Sequence, residues 1–199
     1  MQTTLNNRIG SNEFGVFWEP FPWGEPEQAW INEVFRRADT WAMSRRMFEA
    51  IVPWWEEIAA GSLPDDAVEL HQADLDFATI QHGLMKLVFS TSLEPSVDRQ
   101  VILGDLAAQL AALKVGDGAD IILSAGPRTL SPLAAAPGLI DEYVVAIHPA
   151  VLAEGPGLFD GLEADLALDL VESRFFEGGA VVLRYRVVEV KARTSAEAR

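Results

Sequence analysis

An α/β fold on a mostly parallel sheet with an antiparallel edge is what this 199-residue sequence predicts, and three observations carry the prediction. Short strand-like runs alternate with apolar-faced helical segments, the pattern that lays helices on a parallel sheet. Several of those runs lead straight into junctions rich in Ser, Gly or Arg that open helices. Near the end, residues 166–176 and 180–190 read as long strands flanking Glu177-Gly178-Gly179, a hairpin and therefore an antiparallel pair.

The elements follow in order. In residues 14–30 the aromatics Phe14, Phe17, Trp18, Phe21, Trp23 and Trp30 stand among Pro20, Pro22, Gly24 and Pro26. Prolines at that density forbid regular structure and aromatics at that density leave water, so an irregular loop folded onto a surface is expected. Pro26 suits a first helical turn, Glu25 and Glu27 favour the positive end of the dipole, and Trp30, Ile31, Val34, Phe35 and Ala38 form an apolar face. Residues 39–43 read as a short strand and 44–51 as a helix. After an acidic connection at Asp65 and Asp66, residues 74–81 are helical, and 86–90 and 100–103 are strands. Leu106, Leu110 and Leu113 have helical spacing and the segment ends at Gly116 and Gly118. Ile121-Ile-Leu123 is a strand leading into a helix over 128–135, and 142–147 is a strand that stops at His148-Pro149.

Length, the absence of repeats and the absence of a Pro-, Gly- or Ser-rich linker predict one domain over residues 1–199. A net charge of −15 and a pI near 4.5 argue against a nucleic-acid partner. With no cysteine, disulfides, thiolate metal sites and cysteine nucleophiles are excluded together, and a cytoplasmic setting fits. No run approaches the ~18 apolar residues of a membrane span, and residues 1–8 lack the apolar core of a leader. His71, His82 and His148 have no metal-ligand spacing, so no metal is expected; His148, before Pro149, reads as structural. Asp141 and Glu142 read as charges capping a strand, Asp160, Glu163, Asp165 and Asp169 as a solvated acidic face, and Trp54 and Trp55 as core or interface residues.

The chemistry is expected at three junctions: Ser44-Arg45-Arg46 after Met43, Ser90-Thr91-Ser92 after Phe89, and Ser124-Ala125-Gly126 after Leu123. Ligands of open α/β sheets sit at the carboxyl ends of strands, where helix N-termini offer N–H groups to phosphate. Gly126 permits close backbone approach, Ser90, Thr91 and Ser92 offer hydroxyls, and Arg45, Arg46 and Arg128 offer charge. Each junction also has the ordinary reading of turn-forming Ser and Gly beside solvated arginine.

Taken together, Ser124-Ala-Gly-Pro-Arg-Thr-Leu130, Gly138-Leu-Ile-Asp-Glu142, His148-Pro-Ala-Val-Leu152 and Gly155-Pro-Gly-Leu-Phe159 resemble the dihydrofolate reductase-like superfamily. Within it they resemble the reductase domain of the riboflavin-biosynthesis deaminase-reductase. Lys86-Leu-Val-Phe-Ser90 is similar to the family's "K-x-V-x-S" strand, Ser44-Arg-Arg-Met-Phe-Glu49 to its "G-R-x-T-Y/F-E" helix start, and Leu5-Asn-Asn-Arg-Ile9 to a degraded form of its opening motif. The resemblance implies a doubly wound sheet and NADPH-dependent hydride transfer to a small molecule. By position it implies that Ser44, Arg45 and Arg46 face the cofactor phosphates, that Ser90, Thr91 and Ser92 face the adenosine 2′-phosphate end, and that Ala125 and Gly126 face the pyrophosphate. It also implies a homodimer.

The departures matter as much. The family's helix glycine is Ser44 here and its threonine Met47, while the substrate-facing aspartate and glutamate are Asn6 and Ser124. The first strand is cut short by Met1 and lacks the family's lysine. These changes point away from the riboflavin pyrimidine toward another small heterocyclic or carbonyl substrate. The alternative is a non-catalytic nucleotide-binding or dimer-forming module of the same fold.

Overall fold

The computed structural model describes residues 1–10, 21, 23–64, 70–97 and 99–192. In chain order it contains β1 (Gln2–Thr4), α1 (Glu25–Phe35), β2 (Ala38–Ser44), α2 (Arg45–Ala59), α3 (Gln72–His82) and β3 (Met85–Phe89). There follow β4 (Arg99–Ile102), α4 (Leu106–Lys114), β5 (Asp120–Ser124), α5 (Pro127–Ala134), β6 (Glu142–His148), β7 (Ala164–Phe175) and β8 (Val181–Ala192). Residues 14–20 and Pro22 of the aromatic segment, and Asp65 and Asp66, lie outside the described residues. The chain divides into two compact units, one formed by Trp23–Ser124 and the other by Met1–Pro22 with Ala125–Arg199.

The central unit carries a four-stranded sheet in the order β4-β3-β2-β5, with every pairing parallel. Parallel neighbours need a crossover, and the helices between these strands supply it. α1 begins at Gly24, whose N–H donates to Glu27 Oε2 at 3.2 Å, while Pro26 in the first turn forfeits no helical hydrogen bond. Its inner side carries a polar ladder: Trp23 Nε1 donates to Gln28 Oε1, Gln28 Nε2 to Asn32 Oδ1, and Asn32 Nδ2 to the Ala73 carbonyl at 2.8 Å. Beneath it Phe35, Trp41, Met43, Phe48, Val52, Phe77, Leu84 and Val88 form the core. Phe35 meets Trp41 and Phe77 edge-on at 5.1 and 5.0 Å, the arrangement that ring quadrupoles favour.

α2 continues through Pro53 to Ala59, eight residues past the end that the sequence suggests. Pro53 has no N–H to give the Glu49 carbonyl, yet Trp55 packs edge-on against Phe77 at 4.8 Å and Ile58 is buried, so packing outweighs the lost bond. The tryptophan pair 54 and 55 is a T-shaped contact at 4.6 Å. α2 and α3 are joined to β3 by an ionic cluster around the buried Lys86. Lys86, 3% exposed, donates from Nζ to Glu56 Oε1 at 3.0 Å and to the Gln81 carbonyl, and Gln81 Nε2 donates to the same carboxylate oxygen. His82 Nδ1 lies 2.5 Å from Glu56 Oε2. Burial works to raise the Glu56 pKa, but hydrogen bonds from His82 and Lys86, the Lys86 charge and the Gln81 amide prevail and hold it below the usual carboxylate range.

The hairpin unit carries the order β1-β6-β8-β7. β1 is only three residues long but pairs parallel with β6, and β8 pairs antiparallel with both β6 and β7. Among the described residues, four of the six strand pairings in the two sheets are parallel, with the antiparallel pairs at the C-terminal hairpin. Arg184 on β8 grips Glu142 on β6 through Nε at 2.7 Å and Nη2 at 3.3 Å, which gives Glu142 its structural role. His148 is fully buried at the end of β6, its ring 4.9 Å from that of Phe21, and burial lowers its pKa. The outer hairpin exposes Leu170, Val171, Phe175 and Val188.

Candidate functional site

The carboxyl end of the central sheet is built by β2, β3 and β5, which the register aligns so that Ser44 stands beside Phe89 and Met43 beside Ser124. Ser44 is the N-cap of α2, its Oγ accepting from the Met47 N–H at 3.4 Å with an extended backbone at φ −70°. Serine is therefore tolerated where the family has glycine.

At the β3 end, Ser90 is buried and organises its own loop: its Oγ accepts from the N–H groups of Ser92 at 3.1 Å and Leu93 at 2.9 Å. Ser92 is brought to α2, because Arg45 Nη1 donates to its Oγ at 2.5 Å. Arg45, Ser90, Thr91 and Ser92 then line, with Phe89, Ile102, Gly104 and Leu106, a depression of about 430 Å³. Four of the sequence-predicted site residues are thus together in one place. Arg46 follows Arg45 on the exposed first turn of α2.

A residue that the sequence shows only as the last position of the helix-start motif is tied to this group. Glu49, one turn along α2, accepts from Arg45 Nε at 2.6 Å, so the guanidinium is held between a carboxylate on its own helix and a hydroxyl on the β3–β4 connection. The i,i+4 spacing of an arginine and a glutamate on a helix was the available signal.

Ser124, at the end of β5, accepts a hydrogen bond from Trp41 Nε1 at 2.9 Å. In the hairpin unit, Ala125 is buried and Gly126 is the N-cap of α5, where a methyl group would meet nothing within 4 Å. Pro127 has no N–H, so the Arg128 amide is the first donor of that helix, and the Arg128 side chain is exposed. This open N-terminus fits an anionic group.

Asn6 does a different job from an acid. Its Oδ1 accepts from Thr4 Oγ1 at 2.8 Å and from the Leu152 N–H at 3.3 Å, and its Nδ2 donates to the Leu152 carbonyl at 2.8 Å. The amide clamps the turn after β1 to the segment after β6. Nearby, the Gly157 N–H donates to Asp160 Oδ2 at 2.7 Å, and a Cβ on Gly157 would lie 2.6 Å from Asp160 Oδ1. Asp160 therefore closes a turn, a structural use beyond the solvated face that the sequence suggests. No group of three metal-ligating side chains assembles among the described residues.

This strand order, with serine and arginine at the strand ends and a glycine-capped α5, accords with a comparison against known families. The model of the RibD C-terminal domain matches residues 17–182. The chain belongs to the RibD C-terminal domain family. A curated relative is the uncharacterized protein YyaP of Bacillus subtilis (strain 168), 29% identical over 157 residues that span 78% of this chain and 77% of YyaP. Among solved structures, a putative riboflavin biosynthesis protein from Shewanella sp. PV-4 superposes with a TM-score of 0.69 at 17% identity, over 95% of this chain and 97% of that one. The diaminohydroxyphosphoribosylaminopyrimidine deaminase/5-amino-6-(5-phosphoribosylamino)uracil reductase of Thermotoga maritima gives 0.63 at 13% identity, over 94% of this chain and 55% of that one. A pyrimidine reductase-like protein from Corynebacterium diphtheriae gives 0.57 at 15%, covering 94% and 90%. These likenesses establish a dihydrofolate reductase-like fold for this RibD-type chain.

Proposed function

We propose that this RibD-type domain is an NADPH-dependent reductase of a small heterocyclic or carbonyl compound other than the riboflavin pyrimidine. The observation that carries the reading is Arg45, tethered to Ser92 across a depression lined by Ser90 and Thr91 at the carboxyl ends of β2 and β3. In the central unit Ser44, Arg45, Arg46, Ser90, Thr91 and Ser92 would hold the phosphate at the adenosine end. In the hairpin unit, taken by itself, the backbone at Ala125 and Gly126, with Arg128, suits a diphosphate, the open space at Gly126 being the cradle a side chain would fill. When bound, the cofactor supplies the hydride; the chain supplies alignment and exclusion of water.

The departure from a riboflavin substrate rests on Asn6, whose amide is committed to Leu152, and on Ser124, which takes its hydrogen bond from Trp41. Neither position offers a carboxylate to a substrate. The same two residues favour the second reading, a non-catalytic nucleotide-binding module of this fold.

Titration with NADPH while following tryptophan emission tests the first reading, because five of the six tryptophans fall between residues 23 and 55. A saturable change is expected. Its absence up to millimolar cofactor would remove the reductase reading, and cofactor binding without turnover across a panel of carbonyl, dihydrofolate and pteridine compounds would favour the module.

A further inference from the structure

Resting on the NADPH reading of this depression, we propose that Glu49 is a specificity-determining residue: its carboxylate offsets the charge of Arg45, so that dinucleotides with and without a 2′-phosphate are only weakly distinguished. Arg45 is the residue that places a guanidinium on the lining of the depression, and a 2′-phosphate is the group that would use it. That guanidinium is already engaged on two sides. Nε is given to Glu49 at 2.6 Å and Nη1 to Ser92 at 2.5 Å, and Nη2 is the donor assigned to the ligand.

The two tethers differ in kind. Ser92 is neutral and fixes the direction of the guanidinium at little electrostatic cost. Glu49 fixes it too, but brings a full negative charge with it. One other cation near α2 is directed elsewhere: the Arg99 guanidinium sits over the Phe48 ring at 5.4 Å and its Nε donates to the Glu94 carbonyl at 3.2 Å.

The size of the effect follows from distance and exposure. A phosphate on the Nη2 side lies roughly 6 Å from the Glu49 carboxylate, and both side chains of the pair are about half exposed. At that distance in a water-like dielectric, damped over a Debye length of about 8 Å and doubled for a dianion, the repulsion changes binding about threefold. A ligand lacking the 2′-phosphate feels little of it, because its remaining charge lies farther away.

Glu49→Gln is the informative variant, since the amide oxygen still accepts from Arg45 Nε while the charge is gone. The probes are adenosine 2′,5′-bisphosphate and 5′-AMP, titrated calorimetrically into the full chain at about 50 and about 300 mM salt, a span over which screening of exposed charge strengthens markedly. The native chain should prefer the bisphosphate by less than about tenfold. In Glu49→Gln the bisphosphate should bind about threefold tighter, 5′-AMP should be unaffected, and the gain should shrink at the higher salt. An unchanged or weakened bisphosphate with intact 5′-AMP binding would overturn the proposal, since Glu49 would then serve only to orient Arg45. Failure of both nucleotides to bind either protein would instead bring down the dinucleotide reading, and this inference with it.

Discussion

Lys86→Met keeps the length and apolar stem of the side chain and deletes only the ammonium, which makes it a clean probe of the cluster that ties α2 and α3 to β3. The ammonium is nearly enclosed and donates to Glu56 and to the carbonyls of Gln81 and His82 at the end of α3. Breaking a buried pair by removing one partner costs about 3–5 kcal/mol. Glu56 keeps a third of its side chain in water and retains Gln81 and His82, so that part should fall near 2 kcal/mol. Carbonyls at a helix end left without a donor add about 1 kcal/mol. The total of about 3 kcal/mol should lower the melting temperature by roughly 6–12 °C in a chain of this size.

Tryptophan-detected urea and thermal unfolding would measure it. Glu56→Gln should cost at least as much, because it strands the more deeply buried charge, while the double variant should recover part of the loss, with a coupling of at least about 1.5 kcal/mol. The pH dependence has a definite sign. A carboxylate held below its ordinary 4.5 contributes stability that is present above that pH and is lost as pH falls through its folded value. The gap between native and Lys86→Met proteins should therefore narrow in acid. A loss under about 0.5 kcal/mol, or a gap that stays constant from neutrality into acid, would refute the idea that Lys86 works as a charged partner.

Arg45→Ala combined with Arg46→Ala should weaken NADPH more than NADH and bring the two to similar affinity; equal losses for both would take these arginines out of phosphate binding. Gly126→Ala puts a methyl group where nothing else stands and has a compatible φ of −73°, so the melting temperature should hold while NADPH affinity falls; unchanged affinity would refute the cradle. Tyr143 is buried and its hydroxyl has no hydrogen-bond partner among the described residues, so Tyr143→Phe should be neutral or stabilising by up to about 1 kcal/mol at neutral pH. Burial pushes that phenol up to about 12, so the native chain should lose stability as pH rises from 10 toward 12, and the phenylalanine variant should lose less; a destabilised variant would mean the hydroxyl is in use. A homodimer is expected by light scattering, and Leu170→Glu with Phe175→Glu on the exposed hairpin should dissociate it; a monomeric native mass at micromolar concentration would refute this.

What the sequence shows of this fold depends on the range over which each signal acts. The strands from β2 to β6, the start of α1 at Glu25 and Pro26 and the closing hairpin are legible because period and turn chemistry are local. The reading of α2 ends before Pro53, since proline argues against a helix interior, whereas Trp55 and Ile58 carry it on through contacts that only the folded unit supplies. The three-residue β1 is a strand because β6 is there to receive it. At the site, the Ser90 loop and the Ser44 cap are legible as residue types at junctions. The Trp41 bond to Ser124 and the Lys86 cluster join residues far apart in the chain, and neither has a spacing to reveal it.

The Asn6 clamp makes the missing acid hard to regain. One side chain there accepts from the Leu152 N–H and donates to the Leu152 carbonyl, a pair of roles that an amide fills at once and an ionised carboxylate does not. An aspartate in its place would still accept, but would set a negative charge against that carbonyl oxygen and loosen the turn that positions it. A single substitution that returns an acid to this position therefore gives up the bond to the Leu152 carbonyl, at a cost of about 1 kcal/mol. The difference between this chain and an acid-bearing reductase is thus also one of turn stability, set by one hydrogen bond that points the other way.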